Sequence, residues 1–432
     1  MSTMTGSEDT GARKQAKRGS APPVDPQVKI KELHELFADA PDLGKKALDN
    51  VLRELTSQVA ELPPPIESAG RVGARLGKIS ELTIVVPLAV GGAKRLRSFL
   101  RLLGGNLSPG ASKVGTLHDM RFVFLDNDTK LLFATSFDGD WDTYIDDFVT
   151  KIPDYLDIID SAWDGWPGIR SPGAKDYLVK HQITAEGWFV AHPDLTVAET
   201  DRLVRLGKAV DEFLDTIGDE GGAPEAQPAE KKPTTPEQAR IVEQKIQKLR
   251  QLYSDAPEMG RAALEKGLPN LTREIAAAAG TQSAGRIGAR QGKVSELTAV
   301  APFAPGGAKR LRGLLQALEG NFRGGDAVGT LHDMRFVFLD NDSKLLFATA
   351  YDGEWDAYID DFVTKIPDAL DLLFCNIEGW PGIHSPTVKD WLVAHQIPAD
   401  AWYVSSPKLT VAETRRLEHV GQAVEQFLDR IG

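Results

Sequence analysis

The sequence predicts an α+β protein in which one unit is used twice, and three observations lead to that reading. Long blocks recur at a constant spacing. GTLHDMRFVFLDND, from Gly115 to Asp128, returns 214 residues later from Gly329 to Asp342, and YIDDFVTKIPD, from Tyr144, returns at the same spacing from Tyr358. GRVGARLGKISELT from Gly70 matches GRIGARQGKVSELT from Gly285 at a spacing of 215, which places a one-residue gap near Ser108. A period this long is that of a domain rather than of a solenoid repeat. Within each copy, short β-branched runs and amphipathic stretches follow the order β-α-β-β-α-β, the split βαβ or ferredoxin-like arrangement. Between the copies lies DEGGAPEAQPAEKKPTTP, rich in Pro, Gly and charge and without apolar periodicity, the composition of a linker. The expected division is a disordered tail over 1–28, a first repeat over 29–218, a linker over 219–236 and a second repeat over 237–432.

Taken in order, the first repeat opens with helical sequence over Lys29 to Ala38 and Leu43 to Leu62. A break follows at Pro63, Pro64 and Pro65. Leu82 to Leu88 is short and β-branched, a strand. Gly91 and Gly92 turn the chain, and Leu96, Phe99, Leu100 and Leu103 mark one face of a helix that Gly104 and Gly105 end. Thr116 to Leu125 and Leu131 to Phe137 read as strands joined by a turn over Asp126 to Lys130. Tyr144, Ile145, Phe148, Ile152, Leu156 and Ile159 form the apolar face of one further helix. A Trp-Pro-Gly segment and a short helix with Tyr177 and His181 precede a last strand, Trp188 to Ala191. The capping box Thr196 to Glu199 then opens a terminal amphipathic helix with Leu203, Val210, Phe213 and Leu214. In the second repeat Thr235, Pro236 and Gln238 form the corresponding start signal. A sheet with helices on one face needs cover on the other, so the two four-stranded sheets are expected face to face as an α+β barrel within one chain. The same barrel between two chains is the alternative.

Composition narrows the function classes. At 42% hydrophobic and 26% charged residues, the chain reads as an ordinary globular protein. There is no apolar run long enough for a membrane span, and MSTMTGSEDTGARKQAKRGSAPP lacks the apolar core of a secretory signal. The single cysteine, Cys375, excludes an intrachain disulfide and a thiolate metal cluster and suits a reducing cytoplasm. A net charge of −12 argues against nucleic acid as a partner. The expected partners are a small apolar ligand or another protein, with the chain a monomeric pseudo-dimer or a homodimer.

Few motifs suggest chemistry. Strand alternation places Thr116, His118, Met120, Phe122 and Phe124 on one face, and Leu117, Asp119, Arg121, Val123 and Leu125 on the other. His118 and Arg121 therefore point apart unless a bulge intervenes, and the same holds for His332 and Arg335. Asp138, Asp140 and Asp142 resemble a calcium loop, but Thr143 stands where that loop needs Gly and Val149 where it needs Glu; helix N-capping, with charge that suits the helix dipole, explains them. Gly70 to Lys78 lacks the glycine spacing of a phosphate loop and is followed by a strand, which leaves a mobile basic loop, with an anion or ligand clamp as the alternative. Gly91 to Arg95 starts a helix whose N–H groups are available to an anion, with a plain turn as the simpler reading. Trp166-Pro167-Gly168 and Trp380-Pro381-Gly382 read as loops packed on the core, and His181 and His395 as helix-end caps.

The run SELTIVVPLAVGGAKRL, followed by TLHDMRFVFLD and LLFATSFDGDW, resembles the dimeric α+β barrel superfamily over Ser80 to Ala191 and Ser295 to Ser405. That group includes antibiotic-biosynthesis-type monooxygenases, chlorite dismutases and dye-decolorizing peroxidases. The Gly-x-x-Asp-Gly motif of the last is absent. The resemblance implies a pocket for oxidative chemistry, with haem or without a cofactor. Its polar groups would be His118, Arg121 and Asp119, with His332, Arg335 and Asp333 in the second repeat, and its apolar walls Phe122, Phe133 and Trp166. Were haem bound, an imidazole would have to ligate it, because Cys375 occurs in one repeat only. His118 and His332 are then the first candidates, and His181 and His395 the second. A ligand- or partner-binding protein without catalysis is the primary expectation, and a peroxidase- or monooxygenase-like oxidoreductase the alternative.

Overall fold

A computed structural model describes residues 26–57, 66–218, 236–277, 281–318, 320 and 324–431. The expected tail up to residue 25, the Pro63 to Pro65 break, the linker over 219–235 and the Thr235 cap lie outside the described residues. In the first half, helices α1 (Pro26–Leu36) and α2 (Asp42–Ser57) precede two short strands, β1 (Glu67–Ser68) and β2 (Ala74–Leu76). The strand β3 (Ile79–Pro87) leads into α3 (Gly92–Leu102) and α4 (Ser108–Ala111). A hairpin of β4 (Leu117–Leu125) and β5 (Lys130–Asp138) is followed by α5 (Trp141–Lys151), α6 (Pro153–Asp160), α7 (Ala174–His181), β6 (Gly187–Val190) and α8 (Val197–Gly218). The second half repeats this order: α9 (Pro236–Leu252), α10 (Glu258–Ala277), β7 (Gln282–Ser283), β8 (Ala289–Gln291), β9 (Val294–Pro302), α11 (Gly307–Ala317), α12 (Gly324–Val328), β10 (Leu331–Leu339), β11 (Lys344–Asp352), α13 (Trp355–Lys365), α14 (Pro367–Phe374), α15 (Val388–His395), β12 (Ala401–Val404) and α16 (Val411–Ile431).

Local chemistry accounts for most boundaries. The first helix begins at Pro26, inside the expected tail, because proline's fixed φ suits a first helical position. The single helix expected from Tyr144 to Ile159 is two, α5 and α6. Pro153 has no N–H to continue the ladder, and Ile152 leaves helical geometry at φ −138°. The turn joining β4 and β5 runs through Asp126, Asn127 and Asp128, all at positive φ, which Asn and Asp tolerate best among non-glycine residues.

The strand pairing departs from expectation. Instead of two four-stranded sheets, there are two antiparallel sheets of six, in the orders β1-β2-β3-β5-β4-β12 and β6-β10-β11-β9-β8-β7. The last strand of each half crosses to the other sheet. Trp188 lies opposite Arg335, and Trp402 opposite Arg121. Sequence alone cannot make that choice, because the receiving strands β4 and β10 are both LHDMRFVFL. Neither ladder joins the other, so the expected barrel is not closed.

The helices are exchanged as well. The core over the first sheet contains Val242, Ile246, Leu249 and Tyr253 of α9 and its end, with Leu264, Leu268 and Leu271 of α10. The core over the second contains Leu33, Phe37, Leu48 and Leu52 from the opening helices. Close approach there needs small residues. A Cβ on Gly44 of α2 would stand 2.5 Å from Cys375 Sγ, and one on Gly260 of α10 would stand 2.5 Å from Ser161 Oγ. Cys375 is buried in this contact, and burial pushes its thiol up to about 12.

Between the sheets lies a third apolar layer, including Val123, Leu125, Leu132, Trp188, Val337, Leu339 and Leu346. Two arginines cross it. Arg121 donates from Nη1 to Leu297 O (3.2 Å) and Thr349 O (3.1 Å), and from Nη2 to Asp119 (2.8 Å). Arg335 donates to Thr135 O (3.0 Å), Ser136 Oγ (3.2 Å) and Asp333 (2.7 Å). Both are fully buried. At the hairpin turns, Lys130 and Lys344 each bridge Asp126 and Asp340 at 2.7–2.9 Å.

Two expectations follow. Cleavage within residues 219–235 should leave the halves associated on size exclusion, whereas the first half expressed alone should aggregate, lacking α9, α10 and β12. A monomeric isolated half with native near-ultraviolet circular dichroism would contradict this. Arg121→Met leaves the buried Asp119 undercompensated and should cost about 3–5 kcal/mol in denaturant unfolding.

Candidate functional site

The strand β4 does not alternate cleanly. Its register with β5 pairs Leu117 with Phe137 and Asp119 with Ser136, which leaves His118 as an extra residue. His332 is the extra residue between β10 and β11. A bulge of this kind re-aims side chains. Leu117, expected beside Asp119 and Arg121, instead joins Met120, Phe122 and Phe124 in the helix-side core. His118, expected to face away from Arg121, lines the same inter-sheet cavity as Asp119. The anticipated walls Phe122, Phe133 and Trp166 belong to the helix-side core, on the other side of the sheet.

That cavity, about 90 Å³, is bordered by both halves. His118, Asp119 and Ser136 contribute from one side, and His332, Asp333 and Ala350 from the other. His192, Ser405 and Ser406 come from the segments following β6 and β12, and Thr200 and Thr414 from α8 and α16. Each histidine is held by a carboxylate. His118 donates from Nε2 to Asp138 Oδ1 at 2.6 Å, and His332 to Asp352 Oδ1 at 2.7 Å. The other oxygens of these carboxylates accept the first N–H groups of α8 and α16, from Val197 (3.0 Å) and Val411 (2.9 Å). Donation from Nε2 leaves each Nδ1 an acceptor in the neutral ring. His192 bonds Glu418 through Nδ1 at 2.8 Å, and burial lowers its basicity against the pull of Glu418.

Beneath the histidines, the carboxylates and guanidiniums form a ring. Besides its direct partner, Arg121 lies 3.7 Å from Asp333, and Arg335 lies 3.6 Å from Asp119. Burial opposes ionisation of Asp119, but Arg121, Arg335 and the Ser136 hydroxyl outweigh it and hold the carboxyl low. Asp333 is raised, by burial first and then by the charge of Asp119. The difference has a visible origin. Ser136 Oγ donates to Asp119 Oδ1, whereas the matching position in the second half is Ala350. Asp333 Oδ1 consequently has no hydrogen-bond partner although it is buried.

The other sequence candidates lie elsewhere. His181 and His395 donate from Nδ1 to Tyr177 O and Trp391 O (2.9 and 2.8 Å) and pack on those rings, as helix-end caps do. Arg71 pairs with Asp142, Arg75 with Asp140 and Lys78 with Glu199, so the Gly70 to Lys78 loop engages internal acids. Asp140 stands at the N-cap of α5 but makes no side-chain cap there; ion pairing explains the aspartates better than capping does. Among the described residues no group of three or more His, Cys, Asp or Glu side chains could hold a metal ion, and no helix is long and apolar enough to cross a membrane. A larger surface groove of about 700 Å³ runs past Leu36, Lys309 and Arg312, but its Arg312 is bound by Asp342 and Glu186. Sequence reasoning missed Asp138, Asp352, His192 and Ala350. Of these, the Ser136-to-Ala350 difference inside otherwise matching blocks was legible.

Haem does not fit here. A cavity of about 90 Å³ is several-fold below the roughly 300 Å³ at which cofactor pockets begin. Arg121 and Arg335 are buried among main-chain carbonyls rather than open to a ligand.

No family model matches this sequence, and no curated protein matches it. Among solved structures, the chain is similar to a mutant of the ferredoxin protease FusC in complex with Arabidopsis ferredoxin, at 12% identity and a TM-score of 0.13. The match covers 74% of this chain and 42% of that one, so the chain spans less than half of it. A likeness at this level carries no argument.

The capping boxes that seat α8 and α16 give the site a pH dependence. Lys78, then the Thr196 N–H, lower Glu199 from its ordinary 4.5 to about 2; Lys293, then Thr410, lower Glu413. A depressed carboxyl contributes fully above about 4.5 and loses its contribution as pH falls toward about 2. Solvent screening keeps this on the order of 1 kcal/mol. Protection of the Val197 and Val411 amides, taken relative to their intrinsic exchange rates at each pH, should fall over that range, and Glu199→Gln with Glu413→Gln should flatten the response.

Proposed function

We propose that this protein binds a small molecule carrying hydrogen-bond donors in the cavity between its two sheets. The observation that carries the reading is Asp333, a residue of the cavity wall whose buried Oδ1 has no hydrogen-bond partner and stands 3.7 Å from Arg121. Such a group costs about 1–3 kcal/mol while unsatisfied, and an amine or hydroxyl supplied by a ligand would recover that. The imidazoles of His118 and His332, steadied by Asp138 and Asp352, present further acceptors on the same cavity. We read the ligand as polar rather than the apolar one expected from composition, and as having few heavy atoms, given the space available. The halves are read as duplicated ferredoxin-like units, supported by the recurring sequence blocks and the shared element order; the barrel superfamily remains a resemblance. Imidazoles oriented by carboxylates also suit general-base work, so a catalytic role for His118 and His332 is the second reading. Arg121 and Arg335 would then act only by holding Asp119 and Asp333.

Thermal unfolding with ethanolamine, glycerol and imidazole, and with benzene as the apolar control, tests the proposal. A donor-bearing probe at about 100 times its Kd should stabilise the fold by about 2.7 kcal/mol, and benzene should not. Ala350→Ser would give Asp333 the hydroxyl that Ser136 gives Asp119. It should raise the unliganded melting temperature and abolish the response to the probe. Unchanged binding in Ala350→Ser, or a response to benzene alone, would count against the reading.

A further inference from the structure

One buried cluster outside the inter-sheet cavity is not shared by the two halves. At the spacing of 214, Asp160 stands for Phe374, Trp163 for Ile377, Trp166 for Trp380 and Tyr177 for Trp391. In the second half this place is filled by rings. Phe374 stacks on Trp380 with ring centres 5.0 Å apart and meets Phe347 edge-on at 5.3 Å. Trp380 donates from Nε1 to Asp371 at 2.8 Å.

In the first half the same place holds a carboxyl group among three rings. The rings of Trp163 and Tyr177 are nearly parallel, 15° apart in plane and 6.3 Å between centres. Trp166 stands across both, at 70° and 5.2 Å to Trp163 and at 80° and 5.3 Å to Tyr177. Two parallel walls and a perpendicular third make three sides of a box. Asp160 ends α6 and is 3% exposed. Among the described residues no hydrogen bond or ion pair reaches its carboxyl group. Burial, then the charge of Asp157, pushes that group well above its ordinary value. Its charge also acts on the Tyr177 hydroxyl, more than that of Asp164, whose main-chain carbonyl this hydroxyl binds at 2.7 Å. The indole N–H groups of Trp163 and Trp166 are buried without an acceptor. An unbalanced acid and two unmet donors in an apolar cluster cost free energy on folding, and the second half shows that the fold does not require them.

We propose that Asp160, Trp163, Trp166 and Tyr177 bind a small alkylammonium ion that also carries an oxygen, of the kind that choline exemplifies. Aromatic faces attract a cation within about 6 Å of the ring centre, and rings spaced as these are all lie within that reach of one position. Methyl groups on the nitrogen spread the charge over a surface that packs on ring faces. The Asp160 carboxylate balances the cation, its proton leaving to solvent as the cation arrives. The oxygen of the ligand accepts from an indole N–H. Tyr177 is half-buried and held on the exposed Asp164 turn, which makes it the wall nearest to solvent. Trp163 and Trp166 belong to the helix-side core of the first sheet, so this site is independent of the cavity between the sheets.

Isothermal titration calorimetry of the full chain with choline tests this, with dimethylbutanol, the uncharged isostere of choline, as the control. Choline should bind and dimethylbutanol should not. Asp160→Asn keeps the shape and removes the charge, and should weaken choline binding about 30-fold or more. Trp163→Ile should weaken it on the order of tenfold. Asp160→Phe combined with Trp163→Ile gives the first half the residues of the second. This variant should melt no lower than the wild type and show no heat with choline. Ala350→Ser alters only the inter-sheet cavity and should leave choline binding unchanged, which separates the two sites. A wild-type chain that does not bind choline overturns the proposal, as does equal binding of dimethylbutanol. Binding undiminished in folded Asp160→Asn, or lost in Ala350→Ser, overturns it equally. Should Asp160→Asn fail to fold, the comparison of choline with its isostere on the wild type decides.

Discussion

Two guanidinium groups, buried to zero exposure between two sheets, set the constraint on which the rest of the molecule depends. Arg121 leaves its own sheet and ends on main-chain carbonyls of the other, at Leu297 and Thr349. Arg335 returns the contact at Thr135. Arginine suits this position because its planar fork supplies five donors in fixed directions and stays charged. Burying it is tolerable because Asp119 and Asp333 neutralise it in place and carbonyls accept from Nη1, although the Nε–H of each arginine is left without a hydrogen-bond partner. Glu81 and Glu296 sit in the same layer, each raised by burial first and eased by the arginine from the opposite sheet. Each Glu also accepts backbone N–H bonds, Glu81 from Ala74 and Ala185 and Glu296 from Ala289 and Ala399. A polar layer bonded in fixed directions fixes how the sheets face each other more sharply than the surrounding aliphatic side chains, which lack direction.

The exchanged strands and helices turn that face-to-face contact into an interlocked one. Each helix-side core mixes residues separated by more than 150 positions, such as Leu33 with Leu311 and Phe99 with Tyr253. Neither half can complete its sheet or cover its outer face from its own chain segment. Arg97 reaching Asp400, and Arg312 reaching Glu186, repeat the exchange at the surface. Contacts so distant in sequence imply slow folding relative to a chain of this size with local pairing, and unfolding of the halves as one unit.

The site inherits its character from one irregularity and one difference. The bulge at His118 and His332 lifts these imidazoles out of strand alternation and puts them over the carboxylate ring, where Asp138 and Asp352 orient them. Ser136 and Ala350 then break the near-symmetry of the ring, so Asp119 Oδ1 accepts a hydroxyl while Asp333 Oδ1 has no hydrogen bond and lies 3.7 Å from Arg121. His192 stands on the same wall, where the second half has Ser406. The cavity between two similar halves is thereby made asymmetric.

What the sequence determined by itself is what depends on local spacing. Hydrophobic period placed β3, the β4–β5 hairpin and α3 within a few residues. The capping box at Thr196 located the start of α8, and the recurring blocks foretold the recurring element order. Tertiary structure decided everything that required choosing between equivalent partners. Because β4 and β10 are the same nine residues, β6 and β12 cannot be assigned to either from sequence, and only the connection of both halves through one packed core selects the exchanged pairing. The bulge was equally hidden: strict alternation put Leu117 beside Asp119, and only pairing with Phe137 and Ser136 shows that one residue between them has no partner. Arg121 and Arg335 were legible as conspicuous charges on a strand but not as inter-sheet clamps, since their acceptors are main-chain carbonyls, which leave no mark on sequence.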